Sequence, residues 1–224
     1  MDRQQIEEPP FRSRHPGMFA LWREFGMSFN VSDPLSLFSQ WLDEAAGTEV
    51  NDPNAMALAT LDADGTLSNR IVLLKGHDAQ GFRFFTNYEG RKGLALEANP
   101  KAAALFHWKT LDRQVRLEGP VKRLSPEESQ AYYDTRARGS RIGAWASLQS
   151  QPLPDREALQ SRIDDYETRF EGLEQFPKPD YWGGFILQPL AMEFWRAGDF
   201  RLHERVRLTR RETRGDWTQS PLYP

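Results

Sequence analysis

Two arginines and a histidine alternate along the segment Arg201-Leu202-His203-Glu204-Arg205. If this segment is a β-strand, Arg201, His203 and Arg205 lie on one face, because alternate side chains of a strand point to the same side. A row of this kind with no anion beside it would be repulsive, which indicates a bound anion or an electron-rich ring. A lone histidine is more often structural, so the functional interpretation depends on the three residues together.

Two shorter segments place cations where a phosphate could bind. Arg70 and Lys75 bracket the apolar run Ile71-Val72-Leu73-Leu74, so a planar guanidinium and an ammonium flank a predicted buried strand. Solvated charges at the ends of a strand are the simpler explanation of this pattern. Gly90-Arg91-Lys92-Gly93 opens a predicted short helix, where cations oppose the helix dipole unless an anion binds. Taken alone, this second signal is weak.

A third candidate follows a helix start. Ser125-Pro126-Glu127-Glu128 is a capping box, which predicts a helix through Tyr132. Four-residue spacing would put Tyr132 and Arg136 on one face of that helix, and Ser140 would continue the line after Gly139 ends it. A phenol, a guanidinium and a hydroxyl together suit a phosphate. An ordinary polar helix face remains the alternative.

Composition excludes several classes of function. The 224 residues include 39% hydrophobic and 27% charged residues, which is typical of a globular protein, and the net charge of −3 favours neither nucleic acid nor a membrane as partner. Without cysteine there are no disulfides and no thiolate chemistry, and the four histidines are too scattered to predict a metal site. Neither a signal peptide nor a membrane-spanning segment is evident, so we expect a cytoplasmic protein.

The apolar pattern predicts many short strands with a few helices. This composition of elements predicts an α+β protein, mainly β, built as an antiparallel β-barrel decorated by helices. Residues 1–32 are expected to form an N-terminal arm with one short helix, and residues 33–224 the barrel domain. Strands are predicted at 54–61, 70–74, 81–86, 102–108, 114–124, 184–188, 191–195 and 201–208, with a further strand near 217, and helices from 33, at 91–99, from 125 and at 155–170.

From about Asp33 to the C-terminus, these segments resemble the pyridoxine/pyridoxamine 5'-phosphate oxidase family. No single matching motif is specific, but their order along the chain is. The motifs are Arg70-Ile71-Val72-Leu73-Leu74-Lys75, Phe85-Thr86-Asn87, Arg91-Lys92, Leu111-Asp112-Arg113-Gln114-Val115, Ser140-Arg141-Ile142-Gly143-Ala144-Trp145-Ala146-Ser147, Gln149-Ser150, Trp182-Gly183-Gly184-Phe185, Glu193-Phe194-Trp195 and Arg201-Leu202-His203.

The resemblance implies an FMN-binding split β-barrel that forms a homodimer, with FMN at the subunit interface. It assigns the cofactor to Arg70, Ile71, Val72, Leu73, Leu74, Lys75, Phe85, Thr86, Arg91, Lys92, Gln114, Gln149, Ser150, Trp195 and Arg205. It assigns the substrate to Lys75, Tyr132, Arg136, Ser140, Arg201, Leu202 and His203. Of these, Arg201 and His203 are the expected catalytic residues, positioned against the pyridine ring of the substrate.

The implied reaction is the oxidation of pyridoxamine or pyridoxine 5'-phosphate to pyridoxal 5'-phosphate. A hydride would pass from the C4' carbon to the flavin, and O2 would be reduced to hydrogen peroxide. Two alternatives stay open: a flavin oxidase for another substrate, such as a phenazine precursor, and a non-catalytic module that binds flavin or pyridoxal phosphate. The complete substrate-phosphate set argues against the first alternative, and the presence of both Arg201 and His203 argues against the second.

Overall fold

The computed structural model describes residues 31–224, so most of the predicted N-terminal arm, including its expected helix, lies outside the described residues. The helices within this range are α1 (Pro34–Ala46), α2 (Arg91–Ala98), α3 (Pro126–Asp134), α4 (Arg138–Ala146), α5 (Arg156–Arg169) and a 3₁₀-helix at Asp199–Arg201. The strands are β1 (Ala55–Leu61), β2 (Leu67–Leu73), β3 (Gly76–Asp78), β4 (Gly81–Asn87), β5 (Lys101–Trp108), β6 (Arg113–Arg123), β7 (Trp182–Leu187), β8 (Ala191–Arg196), β9 (Glu204–Thr209) and β10 (Thr218–Leu222). None of these helices is both long enough and apolar enough to cross a lipid bilayer.

The strands pair antiparallel into one sheet that curls into a split barrel. Its main path runs β10-β9-β8-β6-β5-β1-β2. The long strand β6 has two successive partners along one edge, because residues 113–118 pair with β8 and residues 121–123 pair with β7. β7 then pairs with β4, and β4 with β3. The predicted class, an antiparallel split barrel with helices, is therefore confirmed.

Alternation along the strands fills the inside of the curled sheet. In β1, Met56 and Leu58 are fully buried while their neighbours are only half-buried, which gives the strand one inward face. α1 packs on this core, beginning as predicted with Asp33 as its N-cap. Its residues Phe38 and Trp41 lie at helical spacing and are both buried.

A second apolar cluster joins β7 to α3, α4 and α5. Its buried members are Tyr133, Ile142, Phe170, Phe176 and Trp182. Burial raises the pKa of Tyr133 to about 12, so its hydroxyl stays protonated, and it donates to the Arg141 carbonyl at 2.9 Å. This cluster holds the helices against the edge of the barrel where β4 and β7 pair.

The structure corrects the predicted helix that was to carry Tyr132 and Arg136 and to end at Gly139, with Ser140 continuing the line. α3 ends at Asp134, and a separate helix, α4, begins at Arg138, so the three residues do not share one helical face. The hydrogen bond from Tyr133 to the α4 backbone accompanies the turn between the two helices. Because that contact is tertiary, local spacing did not indicate the break.

The strand Arg70–Leu74 was also predicted to be buried, which is wrong for the single chain. β2 is the edge strand of the main path, and Ile71 is 64% exposed. Strand register places Ile71 opposite Ala57, Ala57 opposite Leu105, and Leu105 opposite Arg116. Ile71 therefore belongs to the outer face of the sheet, which continues across to β6.

Candidate functional site

Three side chains from separate parts of the chain meet at the start of α2. Lys92 Nζ donates to Thr86 Oγ1 at 3.1 Å and to Gln149 Oε1 at 2.6 Å. Thr86 Oγ1 donates to the same Gln149 oxygen at 3.1 Å. Thr86 lies near the end of β4, Lys92 in the first turn of α2, and Gln149 after α4. The fold thus brings together three residues that the sequence assigned to FMN.

Two arginines extend this group. The Arg70 guanidinium donates to the Leu58 carbonyl at 3.1 Å and to Thr60 Oγ1 at 2.7 Å. Arg91 donates through Nε and Nη2 to one carboxylate oxygen of Asp62, at 2.9 and 2.7 Å. The cation cluster is defined here as Arg70, Thr86, Arg91, Lys92 and Gln149.

Positive charge in the cation cluster is only partly compensated. Burial, and then repulsion from Arg70, lowers the pKa of Lys92. Burial, and then repulsion from Arg91, lowers the pKa of Arg70, although Asp62 opposes the shift. The hydrogen-bond acceptors described for Lys92 and Arg70 are neutral, whereas Asp62 pairs with Arg91. A phosphate would relieve this repulsion and supply anionic acceptors, so these residues fit the phosphate of FMN.

Backbone geometry brings Gln149 close to α2. Gly90 is the N-cap of α2, and a Cβ there would lie 2.7 Å from Gln149 Oε1. A side chain at this position would displace the amide from the cluster. Before the helix, Asn87 accepts the Glu89 N–H at 2.7 Å, which shapes the turn between β4 and α2. The turn leaves the first residues of α2 facing Thr86 and Gln149.

A pocket of about 250 Å³ adjoins the cation cluster and shares Gln149 with it. Its lining residues are Asn87, Arg136, Ser140, Gly143, Ala144, Ser147, Gln149 and Trp182. Two of them, Arg136 and Ser140, were predicted to bind the substrate phosphate. Arg136 Nη1 is buried and has no hydrogen-bond partner among residues 31–224, and burial lowers the pKa of this guanidinium. The pocket therefore offers a cationic donor to an anionic ligand.

Tyr132 of α3 and Phe85 of β4 are in contact beside the pocket. Their rings stack with centroids 3.9 Å apart and planes inclined by 21°. Phe85 was predicted to contact FMN and Tyr132 to contact the substrate. Tyr132 is not among the residues that line the pocket, but its ring centroid lies 6.3 Å from that of Trp182, which does line it.

Arg201 and His203 lie in a tight turn, which corrects the strand predicted from residue 201. Phe200 and Arg201 both have positive φ, 55° and 62°, and β9 begins only at Glu204. Left-handed backbone at a non-glycine residue costs about 1–3 kcal/mol, and strain of this kind is enriched at functional sites. The predicted common strand face of Arg201, His203 and Arg205 is thus wrong, because the turn takes the first two residues out of the strand.

The His203 ring is fixed by two contacts. The Gly198 N–H donates to Nδ1 at 3.2 Å, so a neutral His203 carries its proton on Nε2. The Trp195 ring lies against it, with centroids 4.6 Å apart. A Cβ at Gly198 would lie 2.1 Å from the Leu202 carbonyl oxygen, so glycine is required for this close turn.

Three further predicted cofactor residues form a row across neighbouring strands. Gln114 in β6 is the register partner of Trp195 in β8, which is the partner of Arg205 in β9, so their side chains share one face. Arg205 donates through Nη2 and Nε to the buried Glu193, at 2.7 and 2.8 Å. The sequence-based expectation of an uncompensated row was therefore wrong for Arg205, since Glu193 supplies the anion.

The remaining predicted contacts stay predictions. The side chains of Ile71, Lys75, Ser150 and Leu202 are exposed, those of Val72 and Leu73 are half-buried, and that of Leu74 is buried.

The sequence alone did not single out Asn87, Trp182 or Asp62 as part of the site. Asp62 looked like an ordinary turn residue, and the other two have no local signal beyond their place in the family motifs.

Comparison with known protein families gives two matches along the chain. The model described as pyridoxamine 5'-phosphate oxidase matches residues 42–170, more than half of the chain. The model described as the pyridoxine 5'-phosphate oxidase C-terminal dimerisation region matches residues 182–224. The chain belongs to the pyridoxamine 5'-phosphate oxidase family. The dimerisation region supports the predicted homodimer, and the named oxidase relatives support a small-molecule substrate.

Two curated relatives align with most of this chain. A protein of Rhizobium meliloti (strain 1021) named pyridoxine/pyridoxamine 5'-phosphate oxidase is 52% identical over 195 residues, 87% of this chain and 94% of the relative. A Brucella canis protein with the same name is 51% identical over 193 residues, 86% of this chain and 95% of the relative. At this identity and coverage, the family assignment does not depend on any single motif.

Two solved structures share the fold. PhzG from Burkholderia lata 383, solved with tetrahydrophenazine-1-carboxylic acid, superposes with a TM-score of 0.80 at 32% identity, covering 88% of this chain and 95% of that one. A pyridoxamine 5'-phosphate oxidase-related, FMN-binding protein from Nostoc punctiforme gives a TM-score of 0.68 at 15% identity, covering 86% and 98%. The second likeness shows the fold alone.

Replacing Lys92 tests the electrostatics of the cation cluster. In Lys92→Met, the free energy of unfolding of the FMN-free protein should rise, or stay within about 0.5 kcal/mol of wild type, because a half-buried and repelled charge is removed. FMN should bind about 10- to 100-fold more weakly, since a hydrogen bond to a charged group contributes about 1.5–3 kcal/mol. Urea denaturation and flavin fluorescence titration measure the two effects.

The control for this substitution is Lys101→Met, which removes an exposed lysine of β5. It should change neither quantity. A Lys92→Met protein that loses about 2 kcal/mol of stability while binding FMN as tightly as wild type would contradict the assignment, because Lys92 would then be a structural residue.

Proposed function

We propose that this chain oxidises pyridoxamine 5'-phosphate and pyridoxine 5'-phosphate to pyridoxal 5'-phosphate, with O2 as the electron acceptor. Membership of the family makes the chain an FMN-dependent oxidase. The observation that carries the choice of a phosphorylated substrate is the second cationic group, Arg136, which lines the pocket and whose buried Nη1 has no hydrogen-bond partner among residues 31–224. A cytoplasmic location belongs to the same proposal and stays a prediction.

The proposed site has two anion positions. The cation cluster would hold the FMN phosphate through Arg70, Arg91 and Lys92, with Thr86 as a neutral donor. The neighbouring pocket would hold the substrate phosphate through Arg136 and Ser140. Gln149 touches both positions, since it accepts from Lys92 and lines the pocket. A substrate anchored this way would lie beside the cofactor, which is the geometry that hydride transfer needs.

FMN, when bound, supplies the redox chemistry by accepting a hydride from the substrate and passing the electrons to O2. The chain's own contribution is orientation and charge. Arg201 would position the pyridine ring and steady its charge as the hydride departs, and the strained turn would set the direction of its side chain. His203 would donate through Nε2, because Nδ1 is occupied by the Gly198 N–H.

FMN would lie at the interface of two chains. Gln114, Trp195 and Arg205 lie on the outer face of the sheet, the same face that exposes Ile71. A second copy of the chain that covered exposed apolar side chains of this face would bring its own cation cluster near the row. The cofactor would then contact the cation cluster of one chain and the row of its partner.

A phenazine-type substrate is the second candidate. It is favoured by the likeness to PhzG, whose structure was solved with a tetrahydrophenazine carboxylic acid. A carboxylate would also satisfy Arg136. The greater identity to the curated pyridoxine/pyridoxamine 5'-phosphate oxidases, 52% against 32%, supports the phosphorylated substrate as the first choice.

Turnover distinguishes these candidates. The FMN-loaded protein should convert pyridoxamine 5'-phosphate and O2 into pyridoxal 5'-phosphate and hydrogen peroxide, followed by absorbance and a peroxidase-coupled assay. The matched control is pyridoxamine, which lacks the phosphate and should show a kcat/KM about 100-fold lower, since it loses charge-assisted hydrogen bonds. Oxidation of tetrahydrophenazine-1-carboxylic acid with no pyridoxal phosphate formed would reverse the order of the two candidates.

Arg201→Ala separates the catalytic role from cofactor binding. We expect kcat/KM for pyridoxamine 5'-phosphate to fall about 100-fold, because a charge that acts on the reacting ring is lost. The dissociation constant of FMN should stay within about threefold of wild type. Arg211→Ala, an exposed arginine beyond β9, is the control and should change neither. Equal losses of turnover and FMN affinity would show that Arg201 binds the cofactor instead.

A further inference from the structure

Three aromatic rings from different elements are stacked beside the pocket. Phe85 of β4 stacks on Tyr132 of α3 at 3.9 Å and lies 5.6 Å from the ring of Trp182 in β7, with a plane angle of 14°. Tyr132 and Trp182 are nearly parallel, at 8°. Trp182 is buried in the second apolar cluster, yet it also lines the pocket. Part of the Trp182 side chain therefore borders the pocket.

That pocket residue is Arg136. Its guanidinium carbon lies 4.8 Å from the centre of the Trp182 ring, within the range of a cation–π contact. Arg136 belongs to the connection between α3 and α4, where no regular element holds it, and its Nη1 is buried without a partner in the described part of the chain. The contact with the Trp182 indole therefore restricts the orientation of the Arg136 guanidinium.

We propose that Trp182 is a positioning residue that holds Arg136 for the substrate's phosphate. This inference rests on the proposed function and adds a residue to which no substrate role was assigned above. The backbone of Trp182 is itself fixed in two ways. Trp182 is the register partner of Asn87 in β4, and its backbone N–H donates to the Pro179 carbonyl at 3.0 Å. A rigid aromatic face lowers the entropy lost when a long side chain binds an anion.

The test is a double-mutant cycle on the FMN-loaded protein. Trp182→Leu should raise the KM for pyridoxamine 5'-phosphate about tenfold, with kcat within twofold and the dissociation constant of FMN unchanged. Trp182→Phe keeps an aromatic face and should raise KM only about threefold. In an Arg136→Ala background, neither Trp182 substitution should raise KM further, because the residue through which Trp182 acts is gone.

Two results would overturn the inference: an unchanged KM in both Trp182 variants, or the same factor in the Arg136→Ala background as in wild type. If Trp182→Leu does not fold, the same comparison is made with Trp182→Phe. Its expected threefold rise in KM should then disappear in the Arg136→Ala background. Calorimetric titration of the FMN-loaded proteins with inorganic phosphate repeats the double-mutant cycle on the dissociation constant of phosphate, which does not depend on turnover. A protein that shows the coupling in phosphate binding but oxidises neither B6 substrate would refute the proposed function and keep the inference.

Discussion

Positive charge that is only partly compensated, at the edge of the barrel, is the constraint on which the rest of the site depends. Arg70 and Lys92 are brought together by the fold, repel each other, and have neutral hydrogen-bond acceptors. Asp62 pairs with Arg91 and so leaves the excess in place. A protein would not keep such an arrangement for stability, since a partly desolvated charge with no opposite charge beside it is costly. The arrangement is favourable only when an anion occupies it.

The scaffold holds these charges where they are needed through two packed cores. The first core, inside the curled sheet, fixes β1 and β2 and hence Arg70 on the inner side. The second core, between β7 and the helices, fixes the start of α4 and the pocket that contains Arg136 and Ser140. Gln149 lies where the two parts meet. Two anion positions in contact through one amide are what a cofactor phosphate and a substrate phosphate require.

Much of this was predictable from sequence because the signals were local. The capping box at Ser125 and the Asp33 N-cap mark helices that the structure contains, and the hairpin of β1 and β2 follows from apolar runs separated by a turn. The order of the family motifs along the chain predicted the split-barrel fold and FMN as the cofactor. What local signals missed depends on tertiary contacts.

The turn at Phe200 and Arg201 shows this most clearly. Its residues suit a strand by composition, and only the positive φ angles and the Gly198 contact to His203 reveal a turn. Glu193 likewise gave no sign in the sequence that it would pair with Arg205 of the neighbouring strand β9, because cross-strand register is set by the whole sheet. The break between α3 and α4 has the same origin.

The most direct test of the account compares FMN with riboflavin, which lacks only the phosphate. Titration of the FMN-free protein by fluorescence quenching at low salt should give an affinity for FMN about 1,000-fold higher, since at least two charge-assisted hydrogen bonds are lost with riboflavin. The difference should narrow as the salt concentration rises. Equal affinities, within about threefold, would show that the cation cluster does not bind the cofactor's phosphate.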